Sequence, residues 1–496
     1  MTNNLTPSGE AVLEQLGINP HNLPADFPTR EDRLQYRAVV QWLTDYKPKS
    51  DATNLDKVRG YLEAFQHLCG IEEWERASEI ISVRLNTPTN EELVNQLQTW
   101  GYYSQQIKVF KILINKLNPK WDTICLNGLG NAFESIGEYS QAINYCHQCL
   151  NISRTKDFRE EESQALRILG IIHRSLGDYG KSMDCHRQAL VICREIGNRI
   201  GEVRTLCNLG IVHRSLGNYN KAIDYHQQAL VIAKEISDRA GEGMALGNVG
   251  LTYHYLGDYE KAIDYHQQHL AIARTLEDIS GEGRTLGNLG IAYYCIGDYD
   301  RAINYNQEHL AIARSIGDVA GEGRTLGNLG NVYFSREDYE QAINYNHQAL
   351  AIARSIGDIA GEGSILGNIG LIYDALGDYK QAIDYYQKGL AIAQSIKDRW
   401  DEGNTLCNLG ATLAKNQQYS EALENLQPAL EICQEIGNRS TEAYAFNNLA
   451  ELHHKLGDRT LALEYCDRAL SIATELGIPL AKQCQELKEK LLSEQT

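Results

Sequence analysis

Apolar and polar residues recur with the period of an α-helix along most of the chain. In the decamer GEGRTLGNLG, which occurs twice, the first copy places Leu286 and Leu289 with Tyr293 on one helical face. Arg284 and Asn288 fall on the opposite side. The pattern therefore predicts an amphipathic helix with a packed face and a polar face.

The same pattern returns every 40 residues. Written in rows of forty from Trp121, the sequence aligns without gaps, and we place nine such repeats over residues 117–478. Each repeat reads as two helices: Gly297 ends the first in the left-handed conformation and Asp298 caps the second. Matching pairs follow at Gly177 with Asp178, Gly217 with Asn218, Gly257 with Asp258, Gly377 with Asp378 and Gly457 with Asp458. Self-similarity at this period predicts an all-α solenoid of stacked helical hairpins.

The flanking residues depart from this period. Residues 1–46 are predicted to form an N-terminal tail and one helix, with residues 1–28 weakly structured and the helix beginning near Thr29. Residues 47–116 read as two degenerate hairpins of shorter spacing. After Pro479, residues 479–496 are predicted to form a polar capping helix, which the end of a solenoid requires.

These residues carry a family resemblance. The pattern of Leu286, Leu289, Gly290, Tyr293 and Ala302 resembles the tetratricopeptide repeat. The small residue of the second helix recurs at Ala142, Ala222, Ala262, Ala302, Ala342, Ala382, Ala422 and Ala462, with Ser182 in the remaining repeat. The usual unit has about 34 residues. The 40-residue variety is similar to the repeats of Partner-of-Inscuteable type adaptors and to tandem arrays in bacterial, particularly cyanobacterial, proteins, and the near-identity of adjacent units favours the bacterial arrays. The resemblance implies a right-handed α-solenoid.

An asparagine column marks the candidate site. Asn208, Asn248, Asn288, Asn328, Asn368, Asn408 and Asn448 hold one place in seven successive repeats. An amide donates and accepts hydrogen bonds, so stacked asparagines suit the backbone of an extended peptide. In the adaptors that the array resembles, such a ladder lines a concave groove in which arginines hold acidic side chains. The predicted groove residues are Arg204, Asn208, Asn248, Arg284, Asn288, Arg324, Asn328, Asn331, Asn368 and Asn408.

A second interpretation of the ladder remains open. Asn is mildly unfavourable inside a helix, which indicates that its side chain has a partner. That partner is either a guest chain or the neighbouring repeat, in which case the ladder only locks repeats together. The arginine position is itself variable, since Met244, Ser364, Asn404 and Tyr444 replace Arg in other repeats.

Composition narrows the partners. The 496 residues include 47 basic and 65 acidic side chains, a formal net charge of −18, which disfavours nucleic acid. The start of the sequence lacks a basic leader, and no apolar run reaches the length of a membrane span. Twelve scattered cysteines lack the density of a secreted disulfide scaffold. We therefore expect a cytoplasmic protein with reduced thiols that binds a protein or peptide and neither nucleic acid nor a membrane.

Catalytic and cofactor sites are disfavoured. The decamer lacks the preceding strand that a dinucleotide fingerprint needs, and CHQC at residues 146–149 has no second ligand pair, so we expect neither cofactor nor metal. Recurrent glutamates such as Glu202 and Glu322 begin helices, where the helix dipole stabilises them. Histidines such as His226 and His309 are expected to form interhelix hydrogen bonds. The sequence predicts a non-catalytic interaction scaffold; the alternatives are a peptide-responsive sensor controlling a separate effector, or an activity within residues 1–116.

Overall fold

A computed structural model of the protein describes residues 5–23, 29–49, 52–87 and 90–493. Apart from one antiparallel bridge between Arg84 and Glu92, the regular structure of these residues is helical. The chain divides between Gly281 and Glu282 into an N-terminal unit and a C-terminal unit. The sequence period crosses this division without interruption, inside the helix Ile279–Cys295.

The N-terminal unit begins with seven helices that precede the repeats: α1 Gly9–Gln15, α2 Arg30–Thr44, α3 Asn54–Lys57, α4 Arg59–Gly70, α5 Trp74–Ile81, α6 Leu93–Thr99 and α7 Tyr103–Leu113. The side chain of Thr29 caps α2 by accepting from the Asp32 amide at 3.0 Å, where the sequence predicts a helix start. Helices α4 with α5 and α6 with α7 form the two short hairpins.

The expectation of weak structure over residues 1–28 is wrong for part of that range. Helix α1 is capped by Ser8 and packs on α2, burying Val12 and Leu13. Leu16 and Ile18 join the same core, which continues through the short hairpins into the first two repeats. Apolar burial overrides the proline-rich surroundings here. Residues 1–4 and 24–28 lie outside the described residues.

The repeats of the N-terminal unit follow as α8 Pro119–Ser135, α9 Tyr139–Lys156, α10 Arg159–Ser175, α11 Tyr179–Glu195, α12 Arg199–Ser215, α13 Tyr219–Glu235, α14 Arg239–Leu256 and α15 Tyr259–Thr275. After α16 Ile279–Cys295, the C-terminal unit contains α17 Tyr299–Ile316, α18 Val319–Ser335, α19 Tyr339–Ile356, α20 Ile359–Ala375, α21 Tyr379–Ile396, α22 Arg399–Lys415, α23 Tyr419–Ile436, α24 Arg439–Lys455, α25 Arg459–Leu476 and α26 Leu480–Ser493. Within each unit, consecutive helices pack as antiparallel pairs that stack on their neighbours. Helix α26 covers α25 through buried Leu480, Cys484 and Leu491.

Glycine and capping residues set the helix ends where the sequence predicts. Gly297 has φ +79°, and the carboxylate of Asp298 accepts from the Arg301 amide at 3.1 Å. The corresponding aspartates of five further repeats cap in the same way. Asn218 differs, since its side chain makes no capping hydrogen bond to α13.

Each hairpin closes through one glycine of its first helix. We call these residues the glycine column: Gly130, Gly170, Gly210, Gly250, Gly290, Gly330, Gly370 and Gly410, with Ala450 in the last repeat. Against them lie fully buried side chains of the second helices, the core column: Cys146, His186, His226, His266, Asn306, Asn346, Tyr386, Leu426 and Cys466. A Cβ on Gly330 would stand 2.2 Å from Nδ2 of Asn346. The glycines therefore provide the space that the core column fills.

A column of small residues sets how closely the second helices pack. The eight alanines predicted from the sequence are all fully buried. In the remaining repeat Ser182 is equally buried, and its hydroxyl donates to the carbonyl of Gly170 at 2.7 Å. The exception thus satisfies its added polar group within its own hairpin.

Candidate functional site

The asparagine ladder lies on the first helix of each repeat, at a half-buried level. All seven side chains, from Asn208 to Asn448, are partly exposed. Among the described residues, five of these amides have no hydrogen-bond partner: Asn208, Asn288, Asn328, Asn368 and Asn408. A half-buried amide without a protein partner is open to a ligand or to water.

Two ladder members contact the preceding repeat instead. Nδ2 of Asn448 donates to Sγ of Cys407 at 3.4 Å. The amide of Asn248 likewise bonds the buried thiol of Cys207, which opposes the rise that burial causes in the pKa of that thiol. The interpretation of the ladder as a lock between repeats therefore applies to these two junctions.

The arginines predicted beside the ladder are all exposed. Arg204 and Arg324 form no ion pair or hydrogen bond within the described part of the chain. At replaced positions the side chains bond the next repeat: Ser364 Oγ donates to Asp401 at 2.8 Å, and Asn404 Oδ1 accepts from Thr441 Oγ1 at 2.6 Å. Asn331 is half-buried one turn after Asn328. The structure thus leaves Arg204 and Arg324 available and uses other members of their column for packing.

The second copy of the decamer shows what its glycines do. The Gly321 amide donates to the capping Asp318 at 2.8 Å, and a Cβ there would stand 2.2 Å from that carboxylate. A Cβ on Gly323 would meet Ile352 at 2.9 Å. Gly327 alone faces open space. Gly321, Gly323 and Gly330 thus serve helix capping and close contact between helices.

The histidines divide into two groups. Nδ1 of His309 lies 2.8 Å from the Thr325 hydroxyl, an interhelix hydrogen bond of the predicted kind. The prediction is wrong for His226, since both of its ring nitrogens are buried and lack a partner within the described residues. The ring of His186, which carried no such prediction, is buried without a partner in the same way. Burial lowers the pKa of both rings to about 3, with neighbouring arginines adding to the effect, so the rings are neutral. Their register against the glycine column leaves no polar group within reach.

The recurrent glutamates are held by arginines. Glu202 is buried and accepts from Arg194 at 2.8 Å and from Arg199 at 2.6 Å. Glu442 pairs with Arg439 at 2.9 Å. These carboxylates occupy the first turn of a helix, as predicted, and arginine side chains pair with them there.

The cysteines of CHQC pack in the core. Cys146 lies against Gly130, and Cys149 contacts the carbonyl of Thr123 at 3.6 Å. Burial raises the pKa of the Cys149 thiol to about 11. Both sulfurs therefore act as small apolar groups. Among the residues that the structure describes, no group of three His, Cys, Asp or Glu side chains could hold a metal ion.

A cavity of about 700 Å³ lies on the first-helix side of the N-terminal unit. Residues of α10, α12 and α14 line it, including Arg167 and Arg204. Arg84 and Asn95, which precede the repeats, supply another part of its wall. Burial, and secondly the charge of Arg204, lower the pKa of Arg167 to about 10. Arg167 was not predicted from the sequence, although it is an arginine at a place where other repeats have Gly, Cys or Asn.

A family model described as tetratricopeptide repeat matches residues 122–195, 161–235, 201–275, 241–315, 321–395 and 401–475, which together exceed half of the chain. The chain belongs to the tetratricopeptide repeat family. Its 40-residue units are thus family members in which the interhelix glycine and the small residue of the second helix keep their places. A comparison with curated proteins finds no match.

Solved structures share the fold at low identity. A Signal Transduction ATPase with Numerous Domains (STAND) protein with a tetratricopeptide repeat sensor, from Pyrococcus horikoshii, matches with a TM-score of 0.54 and 14% identity over 98% of this chain and 75% of that chain. The apo form of the quorum sensor NprR from B. thuringiensis matches with a TM-score of 0.49 and 16% identity over 70% and 97%. BtubC from P. vanneervenii matches with a TM-score of 0.40 and 21% identity, over 45% of this chain and 92% of that chain. No described helix is both long and apolar enough to cross a membrane.

Proposed function

We propose that this tetratricopeptide repeat protein is a non-catalytic interaction scaffold that binds an extended peptide or protein segment along the first helices of its repeats. The observation that carries the proposal is the set of half-buried ladder amides without protein partners, such as Asn328 and Asn368. An extended backbone presents a donor or acceptor at each residue, which matches a column of amides. The exposed Arg204 in the N-terminal unit and Arg324 in the C-terminal unit would each favour acidic side chains in a segment bound to its own unit.

The energetics require several repeats to act together. Each neutral amide bond contributes about 1 kcal/mol, and an arginine bond to a carboxylate roughly 1.5–3 kcal/mol. Ordering a flexible peptide costs roughly 2–5 kcal/mol. A guest that reaches only one repeat would therefore bind weakly, whereas one that spans three or four would bind well.

Peptide selection followed by matched mutation tests the proposal. Peptides selected from a random displayed library on the intact protein are titrated against the double variant Asn328→Ala with Asn368→Ala. Losing two amide contacts should weaken binding of the selected peptides by about tenfold or more. Asn344→Ala is the control, because Asn344 is exposed on a second helix. Failure to select any peptide, or equal affinity of the double variant, would contradict the proposal.

Thermal unfolding separates binding from locking. A lock between repeats predicts that Asn328→Ala lowers the melting temperature about as much as Asn448→Ala, which removes the bond to Cys407. A ligand contact predicts that Asn328→Ala leaves the melting temperature of the free protein nearly unchanged. The two variants exchange the same side chains, so their difference reports the partner of each amide.

A second candidate function is that of a sensor whose occupied groove regulates a separate effector. It is favoured by the P. horikoshii structure, whose tetratricopeptide repeats are described as a sensor. The recurrent glutamates offer no support for an enzyme, since Glu202, Glu322 and Glu442 each pair with at least one arginine, and catalysis by paired carboxylates needs two contrasting environments.

A further inference from the structure

The cavity in the N-terminal unit contains arginines that the fold leaves without carboxylate partners. Arg167 projects from α10 and Arg204 from α12 of the next repeat. Neither guanidinium forms an ion pair or hydrogen bond with any described residue. Arg84, on the part of the wall that precedes the repeats, donates to the carbonyl of Asn90 at 2.9 Å and has no other partner among the described residues. Many arginines in the repeats, by contrast, pair with glutamates, as Arg194 pairs with Glu202.

The acidic side chains around the cavity are engaged elsewhere. Asp238 accepts from the Gly241 amide at 2.9 Å, as the cap of α14. Glu160 accepts from Asn198 at 3.5 Å, and Glu91 from the Thr99 hydroxyl at 2.8 Å. The pKa of Arg167 is lowered by burial and by the charge of Arg204, and no carboxylate is among the groups that shift it. The wall of the cavity thus carries four arginines and three carboxylates, in a chain whose net charge is −18.

Two like charges on adjacent repeats disfavour each other unless an anion lies between them. A carboxylate accepts two parallel hydrogen bonds from a guanidinium, and partial burial strengthens such bonds. We propose that this cavity holds a carboxylate of an acidic peptide between Arg167 and Arg204, with Arg84 facing it from outside the repeats. The inference rests on the proposed peptide-binding function and adds to it the anchoring group and a role for the chain before the repeats.

Calorimetric titration with three blocked hexapeptides tests the inference on the full chain. Acetyl-hexaglutamate amide carries only side-chain carboxylates, acetyl-hexaglutamine free acid carries only a terminal one, and acetyl-hexaglutamine amide carries none. At least one carboxylate peptide should bind about tenfold or more tightly than the neutral peptide, and the one that does identifies the source of the carboxylate. Equal binding of all three peptides, or binding of none, would overturn the inference.

Matched arginine variants locate the binding. Arg167→Gln and Arg204→Gln should each weaken the carboxylate peptide by about tenfold or more, and Arg84→Gln by about threefold. Arg187→Gln is the control, because Arg187 is exposed on α11, outside the cavity wall, and its one ion pair, with Asp184 at 3.9 Å, is long. Arg84 is exposed, so its variant keeps the test valid if a core variant misfolds. Equal losses in the control and cavity variants would overturn the site.

These experiments distinguish failure of the cavity inference from failure of the proposed peptide-binding function. If the cavity inference alone fails, library-selected peptides still lose affinity in the Asn328→Ala with Asn368→Ala variant, while Arg167→Gln leaves them unchanged. If peptide binding itself fails, both sets of variants are without effect on any peptide.

Discussion

The two units build the same hairpin around different interior chemistry. In the N-terminal unit the core column contains His186, His226 and His266. In the C-terminal unit it contains two asparagines, then a tyrosine, a leucine and a cysteine. All lie against glycines of the facing helix at similar depth. The backbone thus accommodates a titratable or a non-titratable side chain at this position. The stability of each unit in acid, however, depends on which of the two is present.

The polar groups of the core column also differ between the two units in their hydrogen bonding. Asn306 and Asn346 each donate to the carbonyl four residues earlier in their own helix, at 2.8 Å, and leave one oxygen unpaired. His186 and His226 have no partner for either ring nitrogen within the part of the chain that the structure describes. Such rings are tolerated because a neutral imidazole is costly to bury but far less so than an imidazolium.

The largest expected effect is acid destabilisation of the N-terminal unit. Burial first, and neighbouring charges second, lower the pKa of His186, His226 and His266 to about 3 in the folded protein. Since the unfolded chain binds protons near pH 6.5, stability is intact above that pH and falls as pH drops toward 3. Between pH 6.5 and 5 each histidine should cost about 2 kcal/mol. Hydrogen exchange followed by mass spectrometry should show earlier loss of protection in α10–α15 than in α18–α23.

The triple variant His186→Asn, His226→Asn and His266→Asn is the control for this experiment. It should remove most of the difference in acid response between the units, because asparagine does not titrate. Retention of the full difference in the variant would show that other groups cause it.

Transplanting a histidine sharpens the comparison. Asn346→His places an imidazole on α19 at the register of His226, against Gly330 instead of Gly210. We expect the C-terminal unit to acquire an acid sensitivity of about 2 kcal/mol between pH 6.5 and 5. Urea denaturation at both pH values measures it. Asn344→His, on the exposed side of the same helix, should leave the pH dependence nearly unchanged.

A pair of glycines in α18 tests the packing shared by both units. Gly330→Ala would force Asn346 to move, with a net loss of about 1–2 kcal/mol in the free energy of unfolding. Gly327→Ala meets nothing within 4 Å and should stabilise the protein by up to about 1 kcal/mol, because alanine favours the helix. Urea denaturation compares them, and similar effects of the two substitutions would contradict the role of the glycine column.

The smallest effect concerns one helix cap. Asn218 begins α13 without a side-chain hydrogen bond, whereas Asp178 and Asp258 cap the equivalent helices and pair with lysines three residues later. Asn218→Asp should gain about 0.5 kcal/mol, since Lys221 occupies the same place. The gain should diminish at high salt, and thermal unfolding at low and high ionic strength measures it.

Much of the fold could be predicted from the sequence because each structural feature recurs in many repeats. The paired helices, the buried alanines and the glycine at Gly297 recur in register, so each repeat corroborates the others. Helix α1 has no such copies, and its burial against α2 depends on contacts between distant residues. The place of Arg84 beside the repeats is likewise a tertiary feature with no local signal. The unpartnered ring of His226 escaped prediction because helical periodicity gives the face of a residue, not the polar groups across from it.

The glycine column gives this array a particular evolutionary freedom. Because each hairpin leaves a vacancy of similar shape inside it, an imidazole, an amide, a phenol, an isobutyl group or a thiol can occupy that space while the backbone keeps its spacing. Copies made by duplication can therefore diversify from within, without disturbing the surfaces by which they join their neighbours.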